Sequence, residues 1–249
     1  MKRVMMILAV AALIFGVTAA QVCLPASAAQ WSDDFSSDTT AAYQVVYWPY
    51  HGGPSGVPSI VYDDPNQRAI VRGVGGYGHI LMEKVGASPI PAGADFSVSA
   101  DVDVLSEYNG YIYLGDNLPL QDTGTNLRLR LTTFSDRVMV RTMHGGVGLD
   151  LYEMPYTPNS VILSVSRIGD EYSFYCNNSL IHQQSIPLLD GMPLYFGVGN
   201  EISSGPSGWT AQTAFDNLSF EVTPVVSEPG AVGLVGLGLV GLARRKSRS

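Results

Sequence analysis

Phe96-Ser97-Val98-Ser99-Ala100-Asp101-Val102-Asp103-Val104 alternates without a break: its apolar side chains point one way, and Ser97, Ser99, Asp101 and Asp103 point the other. A period of two describes a strand with one face on a core and the other towards water. The same period recurs outward from this stretch. Leu127, Leu129 and Leu131 alternate with Arg128 and Arg130, Val138 and Val140 follow, and Val161, Leu163 and Val165 stand against Ser164 and Ser166. Tyr172, Phe174 and Cys176 share a face and run into Asn177-Asn178. That pair tolerates the positive φ of a two-residue type I′ hairpin loop, with a return strand over 179–185. Further strands are expected at 59–62, 68–72, 78–83, 110–114, 149–153, 193–198 and 213–222. Nothing between Gln30 and Thr223 sustains a helical period. About a dozen short strands separated by Gly, Pro and Asn predict an all-β fold, a two-sheet antiparallel jelly-roll sandwich, as one domain over 30–223.

Composition agrees. Only 14% of the 249 residues are charged, while 27 are Gly and 15 are Pro. A coiled coil, a long helical bundle or a disordered acidic tail needs more charge. Two cysteines exclude a disulfide-stapled scaffold and a Cys-based zinc module.

The two ends read as addresses. Lys2 and Arg3 precede an apolar run that closes on Ala26-Ser27-Ala28, the pattern of a secretory signal peptide over 1–28 cut by signal peptidase. Pro224 to Pro229 reads as a linker with a sorting motif. Gly230 to Ala243 carries no charge, and Arg244, Arg245, Lys246 and Arg248 follow. As a helix those fourteen residues would span about 21 Å, short of the roughly 30 Å hydrocarbon core, which suits transient anchoring better than a stable span. Removing both ends takes six basic residues and no acidic one, leaving 22 acidic against 8 basic and a formal charge of about −14. Nucleic acid and anionic lipid are poor partners for such a chain. Cys23 leaves with the signal peptide, so Cys176 has no intrachain partner.

The C-terminal pattern of Ser227, Glu228 and Pro229, a Gly/Leu/Val-rich helix and a basic end with Arg244 and Arg245 resembles the PEP-CTERM sorting signal of bacteria that make exopolysaccharide. Ser227 stands where the first Pro of that motif usually is. The resemblance implies recognition by an exosortase during transient inner-membrane anchoring, then delivery to the cell surface or extracellular matrix. A second resemblance concerns the domain. Arg167-Ile168-Gly169-Asp170-Glu171-Tyr172-Ser173-Phe174-Tyr175-Cys176-Asn177-Asn178-Ser179-Leu180 is similar to a hairpin common in concanavalin A-like, laminin-G-like modules. Asp33-Asp34-Phe35 and Ala214-Phe215-Asp216-Asn217-Leu218-Ser219-Phe220 resemble that superfamily's terminal strands, which pair in space. That fold hosts lectins, glycan hydrolases, lyases and adhesion modules alike.

Catalytic signatures are sparse. No E-x-D-x-x-E or E-x-D-x-E occurs, although retaining hydrolysis needs two carboxyls about 5 Å apart. Asp101 and Asp103 alternate with a core face, and Asp150 and Glu153, three apart, are expected on opposite faces. H-E-x-x-H, G-x-S-x-G and Walker A motifs are absent, and the four histidines are scattered. The candidate ligand-binding residues are aromatic: Trp48 and Tyr50 in a loop with Tyr47, Tyr111 and Tyr113 on one strand face, and Trp209 at a Gly/Ser-rich loop tip. Exposed rings offer flat apolar faces to sugar C–H groups; core packing is the alternative for each. Asp216 falls in phase with Ala214, Leu218, Phe220 and Val222, the expected buried face. A carboxylate there needs a partner, or a bulge that turns it outward. The concanavalin A-like resemblance adds a structural Ca²⁺ held by Asp216 with Asp34, which would also need backbone carbonyls and waters.

These readings favour an exported, non-catalytic surface or matrix module that binds glycan or exopolysaccharide. The alternatives are an exported polysaccharide hydrolase or lyase on the same fold, and a purely structural matrix or adhesion protein.

Overall fold

The computed structural model describes residues 29–51, 57–74, 77–106, 109–116, 124–132, 136–202 and 210–223. Within them the strands run in chain order as β1 (Gln30–Asp33), β2 (Tyr43–His51), β3 (Ser59–Asp63), β4 (Arg68–Val74), β5 (Tyr77–Lys84), β6 (Asp95–Val104), β7 (Asn109–Gly115) and β8 (Asn126–Thr132). They continue as β9 (Arg137–His144), β10 (Val147–Pro155), β11 (Ser160–Ile168), β12 (Glu171–Cys176), β13 (Ser179–Ser185), β14 (Tyr195–Ile202) and β15 (Thr210–Thr223). The described helical elements are single 3-10 turns at Thr40–Ala42, Asp64–Asn66 and Pro187–Leu189. No helix among the described residues is long and apolar enough to cross a membrane.

Two antiparallel sheets result, as the alternation predicts. One has eight strands in the order β13-β12-β11-β6-β15-β4-β3, with β1 added on β15; the other has seven, β10-β9-β8-β7-β14-β5-β2. The chain from Ala28 to Thr223 forms one compact unit. The opening and closing strands do pair, Gln30 opposite Glu221 and Asp33 opposite Leu218. Asn177 and Asn178 both have positive φ, 49° and 62°, and join β12 to β13 as the two-residue loop expected there.

The core lies between the sheets. Val98, Ala100 and Val102 of β6 meet Ile112 and Leu114 of β7 and Leu127, Leu129 and Leu131 of β8, all essentially without solvent contact. Each such aliphatic side chain, fully buried, contributes about 1.5–3 kcal/mol. At Gly110 the layers approach so closely that a Cβ would fall 2.4 Å from Val102 Cγ1 and 2.7 Å from Thr213 Cγ2. Asn200 ties the sheets together across this core, its Nδ2 donating to the Val71 carbonyl at 3.1 Å.

Three expectations are corrected. Tyr47, Trp48 and Tyr50 lie on β2, an edge strand, and not in a loop; the reading missed it because Tyr43-Gln44-Val45-Val46-Tyr47-Trp48 shows no clean alternation. The closing strand changes phase. Its register shifts between Asp216 and Ser219, with Asn217 at φ 48°, so Phe215 packs in the core and Asp216 sits opposite Asp101 on the outer face. This is the bulge that turns the carboxylate outward. A second shift, between Asp150 and Tyr152, brings Asp150 opposite Arg141 and Glu153 opposite Met139, and therefore onto one face.

Candidate functional site

The outer side of the seven-stranded sheet gathers aromatic, imidazole, guanidinium and carboxylate side chains, most of them buried. β7 and β8 are buried at every position, on both faces. Alternation sends Ile112, Leu114 and the β8 leucines to the core, so Tyr111, Tyr113, Asn126, Arg128 and Arg130 form the opposite layer. β5 adds His79, Leu81 and Glu83 to this face; β14 adds Gly197, Gly199 and Glu201. Beyond β8, β9 brings Arg141 opposite Arg128.

A hydrogen-bonded chain orders the centre. The Tyr111 hydroxyl donates to the Asn200 carbonyl at 3.0 Å, and a carbonyl only accepts. His79 Nδ1, 2.7 Å from the same hydroxyl, must therefore donate to it. His79 Nε2 is then the lone-pair nitrogen, and it accepts from Arg128 Nη1 at 2.7 Å. Burial, with the charges of Arg128, Arg130 and Arg141, holds the imidazole pKa well below its usual value, in agreement with this neutral tautomer. Burial likewise raises the Tyr111 and Tyr113 hydroxyls well above the ordinary phenol range. The Arg128 guanidinium lies over both rings, 5.8 Å and 5.6 Å from their centroids, and its Nε donates to Asn126 Oδ1 at 3.1 Å.

The carboxylates of this face are engaged. Glu201 Oε2 accepts from Asn109 Nδ2 at 3.0 Å and lies 3.2 Å from Arg130 Nη1. Glu83 accepts from Gln44 Nε2, Glu153 from Arg137 at 2.5 Å, and Asp150 lies 3.3 Å from Arg141 Nε.

Of the candidate ligand residues, Tyr111 and Tyr113 share a face as expected, but both are buried, so neither presents an open ring. Trp48 takes the β2 position opposite His79, and Tyr50 lies further along that strand; the side chains of both, and Trp209 entirely, fall outside the described residues. So do the signal peptide, the linker, and the sorting residues Ser227, Glu228, Pro229, Arg244 and Arg245. Sequence reasoning passed over His79, Arg128, Arg130 and Arg141. Their signal was present in the L-R-L-R-L alternation, which says which side the arginines take and not how deep they lie.

The two residues read as calcium ligands, Asp34 and Asp216, lie near enough for their charges to interact, and each accepts a backbone amide. Asp34 is exposed and accepts from the Ser36 amide at 3.0 Å, a bond that lowers its pKa. Asp216 Oδ1 accepts from the Asn217 amide at 2.7 Å. Asp33, beside them in sequence, is spent on Phe35 N, Thr39 Oγ1 and Tyr43 Oη. Among the described residues no three His, Cys, Asp or Glu side chains gather as a metal set.

No protein-family model and no curated protein matches this sequence. Solved structures do match the fold. It is similar to a glycoside hydrolase family 16 endo-glucanase from Bacteroides ovatus, with TM-score 0.54 and 10% identity over 76% of this chain and 99% of that one. It is similar also to the catalytic domain of an endo-1,3-β-glucanase (laminarinase) from Thermotoga petrophila, with TM-score 0.52 and 11% identity over 77% of this chain and 96% of that one. A β-glucanase from Bacillus licheniformis gives 0.51 at 8% identity, over 77% and 97%. At these identities the likeness establishes the fold alone, a two-sheet jelly-roll sandwich.

Proposed function

We propose that the chain is an exported, surface- or matrix-sorted module that binds a polysaccharide on the outer face of its seven-stranded sheet without cleaving it. The observation that carries this reading is the layer itself. Two tyrosines, a histidine and three arginines line one face of a jelly roll, and every carboxylate described there is already held by a cation or an amide. Glycoside hydrolysis needs one carboxyl to give a proton and a second to act as nucleophile or base, and engaged carboxylates are poorly placed for either task. The glucan-acting proteins that share the fold support a glycan as the partner. The signal peptide and the PEP-CTERM-like tail support export, exosortase processing and delivery to the surface or matrix.

A glycan array run beside a reducing-sugar assay on the same polysaccharides tests the reading. Saturable binding without turnover is the expected result. Turnover that disappears on changing one acid replaces it with a hydrolase or lyase, and silence in both assays leaves a structural matrix role. Mass spectrometry of surface material is expected to find protein lacking Arg244 to Ser249; an intact tail overturns the sorting part.

A further inference from the structure

The outer face of the eight-stranded sheet carries a cavity of about 290 Å³, walled by Asn66, Arg68, Asp101, Asp103, Ser160 and Asp216. Its floor is Ala214, a single methyl on the middle strand β15, with Ile70 of β4 opposite on one side and Asp103 of β6 on the other. Arg68 reaches from β4 across β15: its Nη1 donates to Asp103 Oδ2 at 2.6 Å, while its Nε donates to Asp63 Oδ2 at 2.9 Å. The bulge at Asn217 supplies the facing wall, because it sets Asp216 outward, opposite Asp101. A small side chain between long ones leaves the hollow.

Bonds made inside the protein use only part of this lining. Asp103 and Asp101 are each engaged through Oδ2, the second with Asn217 Nδ2 at 2.8 Å. Asp216 accepts the Asn217 amide through Oδ1, and Asn66 donates through Nδ2 to Asp63. Asp101 Oδ1, Asp103 Oδ1, Asp216 Oδ2 and Asn66 Oδ1 are thus acceptors with no partner among the described residues; Arg68 Nη2 and the Ser160 hydroxyl are donors in the same state. A ligand that matches brings mainly O–H donors and also accepts. A sugar ring does both, and it lays a C–H face on Ala214. The carboxylates repel an anion. The volume falls just below the roughly 300–1,000 Å³ of sites for drug-sized ligands, which is room for one ring. Asp101 and Asp216 stand directly opposite each other, and like charges so placed weaken a strand pair. Hydroxyl donors shared between them offset that repulsion.

We propose that this cavity is a second glycan site, apart from the seven-stranded face, and that it takes one uncharged pyranose unit of the polysaccharide. Only the kind of ligand rests on the glycan-binding reading above; the cavity and its open hydrogen-bonding groups do not.

Amide NMR of the full chain tests the assignment, with titrations of the methyl glycosides of glucose, galactose and mannose and of methyl glucuronide. At least one neutral glycoside should shift the Asn66, Asp103, Ser160 and Asp216 resonances saturably, and the glucuronide should bind there at least about tenfold more weakly. Asp216→Asn should weaken the neutral binding about tenfold, the loss of one charge-assisted acceptor, at an unchanged melting midpoint. Ser160→Trp should abolish it by filling the cavity, while Ser97→Ala, on the same face but outside it, should change nothing. Resonances that stay still with every neutral glycoside, an equal response to the glucuronide, or binding indifferent to both cavity substitutions overturns the assignment. If the glycan array shows saturable binding, such a failure leaves the glycan-binding function standing; if the array is silent, both fall.

Discussion

On the outer face of the eight-stranded sheet, Ser97, Ser99, Asp101 and Asp103 of β6 alternate with core residues and all keep contact with solvent. On the outer face of the seven-stranded sheet, Tyr111, Tyr113, Arg128 and Arg130 occupy the same alternate positions and are buried. Both faces obey one period and both lie opposite the same core. They differ in what fills the positions. Small hydroxyls and carboxylates need only water, so the first face costs little to leave open. Phenols, an imidazole and guanidiniums on the second face carry large apolar bodies with polar tips, and they pack against one another while hydrogen bonding at the ends. The molecule therefore has a second, polar interior outside the sandwich, built of aromatic rings and positive charge.

Substitutions that compare the faces directly have the largest expected effect. Tyr111→Ala should cost roughly 3–5 kcal/mol in denaturant unfolding, as expected for removing a buried aromatic ring, while Ser97→Ala on the open face should change stability by no more than about 0.5 kcal/mol. Equal, small losses at the two sites would mean that the Tyr111 layer is not an interior at all. Tyr111→Phe is a finer probe. It keeps the ring and strands the His79 Nδ1 donor and the Asn200 carbonyl, for an expected cost of about 1–3 kcal/mol.

Acid should discriminate next. Burial and the neighbouring arginines hold the folded His79 pKa well below the ordinary imidazole value of about 6.5, so below that pH the unfolded chain takes up a proton that the folded chain refuses. The stability linked to His79 is thus complete above about pH 6.5 and is progressively lost as pH falls below it, so the domain should be less stable at pH 5.5 than at pH 7.5. Urea melts at the two pH values read this directly. The slope should flatten in His79→Gln, and an unchanged slope would remove His79 as its source.

The smallest effect belongs to the open face. Burial, then the charges of Asp101, Asp34 and Asp33, raise the Asp216 pKa, so its ionisation at neutral pH slightly opposes folding, and stability from this group rises as pH falls through its folded pKa. Asp216→Asn should leave the melting midpoint unchanged or slightly higher, within about 0.5 kcal/mol, and a chelator should not move it. A clear fall in both experiments would restore a cation to Asp216.

Most of the sandwich was legible in the sequence because β6, β8, β11 and the β12–β13 hairpin each carry an unbroken period or a turn pair that tolerates positive φ. The errors fall where one residue breaks the count. A bulge is invisible to alternation: Asn217 moved Asp216 to the other face, and the shift after Asp150 moved Glu153. β2 escaped because its residues from Tyr43 to Trp48 show almost no polar alternation. The site was legible in composition but not in depth. Arg128 and Arg130 read as a solvated face because arginine usually is one, and only the strand order reveals that β8 lies between β7 and β9, with Tyr113 opposite Arg128 on one side and Arg141 on the other.

The pairing of β1 with β15 also has a mechanical consequence. β15 is a fourteen-residue strand, about 46 Å long, bonded antiparallel to β6, β4 and β1. Its hydrogen bonds run across the strand axis, so a pull through Thr223 against a hold on the opposite sheet loads many of them at once, in shear. A pull between the two termini acts differently. Gln30 lies opposite Glu221, at the same end of the ladder, so that force opens β1 from β15 one pair at a time, like a zipper. The same domain is thus stiff to traction between its C-terminal end and the seven-stranded sheet and compliant to traction between its own ends.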